Sequence, residues 1–404
     1  MKSFAQYVEE MRYHNPMPIP PEIRMIHQAF KDAGKKLYVV GGAVRDHLLG
    51  KTPKDLDLAT DAPPDQVRWI LDTAGIKRSD TVGQRFGVVV ANIDGVPYEI
   101  ATFREDLEKK RHTTVRFSDI EADAKRRDLT INALYYDLDT DEVIDLVGGT
   151  EDLRTGNVRT VGKAADRFGE DAIRVLRYIR FYCRVNTGGL AGIDKETQDA
   201  IHYRVENGLK GDDGKAVSPE AIKDEFLKGI KSAKSPAGFL ELYDHFGLLT
   251  KYVFPGLHVD QARPNSHNPI LVIAGLLHKN SPEKIARGLF ELRYSNDEVG
   301  KVEYLVNLLN LQQGRLGPVL GERPQYLYGL RKFQPEVSDE DLETWAKWHG
   351  LDSQALRAFR QHALKDMDDV PGAKDLQGAE IGKLITHHNT QEMLQKLGFR
   401  EWLH

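Results

Sequence analysis

Two aspartates separated by one leucine, Asp55-Leu56-Asp57, are the residues of this chain best suited to chemistry. On an extended strand, residues i and i+2 point to the same face. The two carboxylates would then stand a few ångströms apart, with Leu56 and Leu58 buried behind them. Such a pair is costly unless a cation neutralises it, and hard, oxygen-seeking Mg²⁺ is the natural candidate. Two metals held this way can activate a hydroxyl and stabilise a leaving pyrophosphate. Alone, Asp-x-Asp reads more readily as a solvated loop with two acids. Here it follows Gly41-Gly42-Ala43-Val44-Arg45-Asp46, with Asp55 nine residues beyond Asp46. Gly41 and Gly42, between a strand and a helix, let backbone N–H groups close on a phosphate, and the helix N-terminus adds positive potential. Arg45 supplies a fixed cation one turn in. Glu99 is a candidate third catalytic carboxylate if its strand lies beside the one carrying Asp55, and otherwise an edge-strand acid.

The elements that must hold these residues are legible in the pattern. Lys36–Val40 is a buried strand entering the Gly-Gly turn, and Ala43–Leu49 a short helix stopped by Gly50. Asp55–Ala59 alternates acidic and apolar residues, a strand pattern, and Pro63–Ala74 reads as a helix. Val88–Ile93 and Val96–Phe103 flank Asp94-Gly95, a two-residue hairpin signal. Asp128–Leu134 reads as a short helix and Val143–Leu146 as a strand. From about Glu151 the chain turns helical: Gly169–Cys183, Lys195–Asn207, Pro219–Lys228, Pro236–Phe246, Pro269–Leu277 and Glu298–Leu311, with Pro or Gly in most gaps. A more polar helical stretch follows to His404. The expected fold is α+β: a mixed α/β head over 1–150, a helical neck over 151–235, a body over 236–311 and a tail over 312–404.

Composition sets the outer bounds. The 404 residues are 40% hydrophobic and 29% charged, as in ordinary globular proteins, and allow two to four domains at ~100–200 residues each. Net charge is -5, which excludes a globally basic nucleic-acid coat but not a local basic face. Between Arg154 and Arg184, eight Lys/Arg stand against three Asp/Glu, so positive potential is concentrated there. The single cysteine, Cys183, rules out an internal disulfide and any cysteine-cluster metal site. A reducing compartment is expected. No apolar run is long enough to span a membrane, and the first residues lack the apolar core of a secretory signal.

These residues resemble the nucleotidyltransferase head of the class II tRNA nucleotidyltransferase and poly(A) polymerase family, within the polymerase beta-like superfamily. The motifs continue in order. Lys125–Leu134 (KRRDLTINAL) is similar to the family's Arg-Arg-Asp motif, Asp145–Leu153 to the motif after it, and Glu170–Phe181 (EDAIRVLRYIRF) to its base-reading helix. The clear resemblance covers about residues 35–185 and fades through the body, for example around Leu289–Glu298.

The resemblance implies that Asp55 and Asp57 hold Mg²⁺ and that Gly41, Gly42, Arg45, Arg127, Asp128 and Asn132 meet the nucleotide. Glu170, Asp171, Arg174, Arg177 and Arg180 are carried over with the base-reading helix. It further implies CCA addition to tRNA from CTP and ATP. A physical reading supports base choice. Asp171 and Arg174 are three apart on the expected helix, hence neighbours. A carboxylate accepts from an exocyclic amino group while a guanidinium donates to a ring nitrogen or carbonyl. Cytosine and adenine both offer an amino donor beside an acceptor; uracil and guanine do not offer it in the same place.

Other readings stay open: partial CC or A addition, poly(A) synthesis, or a non-catalytic RNA-binding protein. Gly83–Val88 resembles the tRNA-enzyme version of its segment. Arg104–Phe117 resembles the loop of full CCA-adding enzymes, though slightly shorter. Lys279 follows His278 where some relatives carry a His-Asp phosphohydrolase pair, so no phosphohydrolase activity is expected; His267, His387 and His388 are read as surface residues. The expected partners are tRNA, CTP and ATP, with no membrane. The expected address is cytoplasmic, with an organelle or a virus-infected cell left open and the oligomeric state unassigned.

Overall fold

Short β-branched and aromatic runs build a mixed sheet in the first part of the chain. The computed structural model describes residues 16–53, 55–79, 87–107, 115–262, 264–312 and 323–396. The chain divides into two units, 1–246 and 247–404. The helices over 151–235 therefore belong to the same unit as the sheet.

In the first unit, strands β1 (Leu37–Val40), β2 (Asp57–Thr60), β3 (Lys77–Ser79), β4 (Val88–Ile93), β5 (Val96–Thr102), β8 (Leu134–Asp137) and β9 (Glu142–Asp145) form one sheet in the order β3-β4-β5-β2-β1-β8-β9. β6 (Arg104–Asp106) and β7 (Val115–Phe117) pair separately. β1 and β8 are buried along their whole length, as suits central strands of continuous apolar character. β4 alternates in burial as a half-covered strand should. Asp94 and Gly95 both take positive φ, 52° and 84°, the geometry of a type I′ hairpin turn.

Helices α1 (Pro21–Asp32), α2 (Gly42–Leu48), α3 (Pro64–Thr73), α4 (Ile120–Arg126) and α5 (Gly149–Thr155) accompany the sheet. They are followed by α6 (Ala164–Glu170), α7 (Ile173–Val185), α8 (Lys195–Glu206), α9 (Pro219–Ser232) and α10 (Pro236–His245). Ser218 and Ser235 cap α9 and α10 with their hydroxyls, each followed by Pro at the first helical position. The second unit contains α11 (Pro269–Leu277), α12 (Pro282–Glu291), α13 (Asn296–Gln312), α14 (Arg323–Lys332), α15 (Asp339–His349), α16 (Ser353–Gln361) and α17 (Ala379–Lys396). α11 is buried from Leu271 to Leu277, and Trp345 of α15 is fully enclosed.

Three local expectations are corrected. Asp128–Leu134 is not a helix: only Thr130–Asn132 turns, as a 3₁₀ segment, and Leu134 opens β8. Pairing with β1 and β9 overrides the local helical pattern there. Gly169–Cys183 is not one helix but two. Asp171 is extended (φ −154°, ψ 110°) and separates α6 from α7. The cause is tertiary: the Gly169 carbonyl, which a continuous helix would offer to Ile173, accepts the N–H of Asp212 at 2.7 Å, and Ile173 donates to Asp171 Oδ1 at 3.2 Å. Finally, the ladder of β2 begins at Asp57, so Asp55 precedes the strand, and Leu56 is only half-buried while Leu58 is enclosed.

Candidate active site

The antiparallel register of β1 and β2 sets Val40 opposite Asp57. Val40 runs directly into Gly41, whose φ of 71° and ψ of −122° suit glycine alone. Strand pairing thus brings the Gly-Gly turn and the aspartates together. Asp55 and Asp57 are both exposed and line one cavity of about 870 Å³, together with Gly41, Gly42 and Arg45. Arg127, Asp128, Asn132, Arg174, Arg177 and Arg180 line it as well. Burial, then the neighbouring Asp55 carboxylate, pushes the Asp57 carboxyl above its ordinary range, while Arg127 draws it down.

The donor set fits Mg²⁺. Among the described residues no group of three or more His, Cys, Asp or Glu side chains could hold a metal. Two carboxylates, with the remaining positions left to water and substrate phosphates, is how Mg²⁺ is commonly bound. Glu99 lies on β5, parallel to β2, and the Leu58↔Ile100 register extended by one residue sets it beside Asp57. It is exposed and is not among the residues lining the cavity. The Gly41 N–H is already donated to the Leu134 carbonyl at 2.8 Å, so it is not available to a phosphate. The next amides, in the first turn of α2, have no acceptor within the helix.

The arginines of this cavity are held by protein carboxylates. Arg45 is 3% exposed and donates to Asn132 Oδ1 and, at 2.9–3.0 Å, to Asp46 Oδ1. Burial lowers the Arg45 pKa, opposed by Asp46. Arg127 donates to Asp123 and to the Tyr135 hydroxyl, both at 3.1 Å. Burial works against its charge, but Asp123 and Tyr135 outweigh burial and raise its pKa. Arg177 donates to Asp128 at 2.7 Å; burial would raise the Asp128 carboxyl, and Arg177 brings it below the ordinary range.

The Poly A polymerase head domain family matches residues 37–159. A CCA-adding enzyme of Lactobacillus helveticus is 37% identical over 301 residues, which cover 70% of each chain. The chain belongs to the CCA-adding enzyme family. Its fold matches the crystal structure of the Bacillus stearothermophilus CCA-adding enzyme in complex with CTP, with a TM-score of 0.66 and 25% identity over 95% of this chain and 99% of that one. Poly(A) polymerase I of Salmonella typhimurium is 42% identical over 240 residues, 54% of this chain and 48% of that protein. Across several curated relatives the match spans only 46–64% of the relative's own length.

Within this member of the CCA-adding family, Asp171 and Arg174 are not joined as neighbours on one helix. Arg174 pairs with Glu170 at 2.5 Å and lines the cavity, whereas Asp171 sits at the α6–α7 junction and is not among the lining residues. Residues that the motif reading passed over also line the site or hold it. Glu225 of α9, 5% exposed, accepts from Arg180 at 2.6 Å. Asp46 accepts from Arg184 at 2.6 Å as well as from Arg45. Phe181 lies under the guanidiniums of Arg45, Arg177 and Arg180, 4.8, 5.5 and 4.1 Å from the ring centroid. The Phe181 contacts had a sequence signal, an aromatic residue among arginines at helical spacing in α7; Glu225 had none, because its partner is 45 residues away.

Asp145 has a structural part: its carboxylate accepts the N–H groups of Val147, Gly148, Gly149 and Thr150, which shapes the start of α5. The family loop expected over Arg104–Phe117 is anchored by β6 and β7; its residues 108–114, and 83–86 of the Gly83–Val88 segment, lie outside the described residues. In the second unit, Lys279 pairs with Asp260, and His278 Nδ1 lies 2.9 Å from the Gly275 carbonyl. Among the described residues no helix is long and apolar enough to cross a membrane.

Proposed function

We propose that this protein adds CCA to the 3′ ends of tRNA from CTP and ATP, without a nucleic-acid template. The observation that carries the reading is the opening of two adjacent carboxylates and an arginine-lined wall onto one cavity, in a chain of the CCA-adding family.

Asp55 and Asp57 would hold Mg²⁺. When bound, the metal supplies Lewis-acid activation of the attacking 3′-hydroxyl and neutralises charge on the departing pyrophosphate. Arg45 and the first-turn amides of α2 bind the triphosphate, and Arg127, Asp128 and Asn132 position the nucleotide. The 3′-hydroxyl gives up its proton to solvent as a bond forms between the 3′-oxygen and the α-phosphorus, and the bond from the α-phosphorus to the bridging oxygen breaks, so that the β- and γ-phosphates leave as pyrophosphate. Asp171 and Arg174 read the amino-donor and acceptor edge shared by cytosine and adenine. Arg174 reaches the cavity from α7, whereas Asp171, at the α6–α7 junction, joins it only if its carboxylate turns toward the cavity. Glu99 serves as a third acid only if it turns toward the cavity. With a single cysteine and so no internal disulfide, a reducing compartment such as the cytoplasm is the proposed address; Cys183 itself is buried, its thiol pushed up to about 12 and unreactive.

A tRNA lacking CCA, incubated with Mg²⁺ and with CTP and ATP singly and together, tests the reading. Three added residues that need both nucleotides are expected; a long tail from ATP alone would instead identify a poly(A) polymerase, the reading favoured by the Salmonella relative. Arrest after two cytidines would identify a partial enzyme. Asp57→Ala abolishes incorporation while tRNA binding survives. Asp171→Ala with Arg174→Ala relaxes discrimination against UTP and GTP, and unchanged selectivity would overturn the base-reading assignment.

A further inference from the structure

The cations of the cavity fall into two kinds. Among the described residues seven arginines line it, and each has a carboxylate partner. Asp46 serves Arg45 and Arg184, and Asp123 serves Arg126 and Arg127. Glu170 serves Arg174, Asp128 serves Arg177, and Glu225 serves Arg180. These guanidiniums are oriented, and part of their charge is answered within the protein. A bound polyphosphate gains the directed N–H groups they have left, but less from their charge.

The two lysines differ. Lys51 and Lys228 line the same cavity, both are exposed, and among the described residues neither forms an ion pair with a carboxylate. Lys51 leaves the end of α2 just after Gly50, its N–H fixed on the Asp46 carbonyl at 2.9 Å. Partial burial, then Arg184, depresses its pKa; Lys234 and Arg45 act the same way and Asp46 the opposite. An ammonium under that pressure gains from any added negative charge. Lys228 stands three residues after Glu225 on α9, hence on the same helix face one turn along. The helix that presents Glu225 to Arg180 thus also carries Lys228 to the cavity.

We infer that Lys51 and Lys228 are the pair that takes the phosphate charge of the substrate: the arginines give direction, and the lysines give uncompensated charge. Lysine suits this because a compact, mobile ammonium binds phosphate as a point charge, with no demand for a bidentate fit. The inference deepens the proposed function and rests on the same cavity. The phosphates come either from the nucleoside triphosphate or from the backbone of the RNA 3′ end.

Binding measurements on the full chain separate these sources without depending on turnover. Lys51→Gln, Lys228→Gln and, as a control off the cavity lining, Lys231→Gln are titrated with inorganic tripolyphosphate, with CTP and ATP, and with tRNA over a range of salt. If the lysines hold the triphosphate, tripolyphosphate, CTP and ATP all weaken together by about tenfold per lysine, the loss of one partly desolvated phosphate contact. If they hold the RNA backbone, nucleotide affinity stays and the slope of log K against log salt falls by roughly 0.7–0.9 per lysine. Either result supports the inference. It is overturned if both cavity variants bind every ligand as the parent does, or if Lys231→Gln shifts binding as much as they do. Failure of the parent chain to incorporate CTP and ATP would count against the CCA reading alone, because these titrations still report where phosphate binds.

Discussion

Both units hold an aspartate paired with a cation, and they do so to different ends. In the first, Asp128 is gripped by Arg177 and Asp46 by two arginines, while Asp55 and Asp57 face the cavity side by side, with the burden showing in the raised Asp57 carboxyl. In the second, Asp260 is answered by Lys279, its pKa drawn down by that bond and by the Ala262 N–H against the pull of burial. Among the described residues, the first unit leaves the Asp55 and Asp57 carboxylates without an ion pair where an ion and a substrate can settle their charge, whereas Lys279 closes the charge of Asp260 within the second unit. Sites of chemistry are marked by charge left open, more than by the number of charged residues.

The largest expected effect tests that contrast. Asp57→Asn should lower nucleotide incorporation by at least roughly 10²–10³-fold, the scale of losing transition-state charge stabilisation, with little change in thermal stability. Asp260→Asn should leave the turnover of the folded protein unaltered. It should cost the 247–404 unit less than about 1 kcal/mol, since Lys279 is 55% exposed and its pair is screened by solvent. Equal effects on incorporation would erase the distinction between the two units.

Next in size is Glu225→Leu, which strips buried Arg180 of its carboxylate. Breaking one side of a buried pair costs about 3–5 kcal/mol, and denaturant unfolding should show the loss in the transition of the 1–246 unit. Glu225→Gln, which keeps an acceptor, should lose less. If the double change Arg180→Met with Glu225→Leu restores stability but not nucleotide affinity, the pair serves orientation rather than folding.

The second unit carries a pH dependence of its own. His349 packs on Trp345 and faces His278 and Asp260; burial, then His278, lowers its pKa to about 4, against a smaller opposing pull from Asp260. It is neutral in the fold, whereas the unfolded chain takes up a proton below about 6.5. Stability of this unit should therefore fall as pH drops from about 6.5 to 4, by up to roughly 3 kcal/mol. His349→Leu should flatten that slope. A smaller effect is expected at the turn: Gly41→Ala forces a side chain into a left-handed backbone, at about 1–2 kcal/mol. It also sets a methyl 3.4 Å from Arg127 Nη1, which should raise the KM for nucleotide more than it lowers kcat.

Much of the fold was legible because its signals are local. The buried run of β1, the Asp94-Gly95 hairpin and the Ser-Pro starts of α9 and α10 each depend on a few adjacent residues, and the structure has them at those positions within a residue or two. The elements that departed from expectation did so where a distant group intervened. Asp212 claims the carbonyl that would have continued α6 into α7, and pairing with β1 and β9 draws Leu134 into the sheet.

The same division governs the candidate site. Residue order alone determined that the chain carries paired acids after a glycine turn and a run of arginines at helical spacing. Alternation placed Asp57 outward and Leu58 inward, but it did not hold at Leu56, which is half-buried, nor along Leu58–Thr60, which is buried throughout. Only the tertiary structure decided that Val40 stands opposite Asp57, that Glu225 reaches Arg180 across 45 residues, and that, among the described residues, the cavity's arginines are paired while Lys51 and Lys228 are not. The physical reason is range. Backbone geometry and side-chain alternation act over a turn or a strand, whereas ion pairing and burial depend on which distant segments the packed sheet and helices bring together.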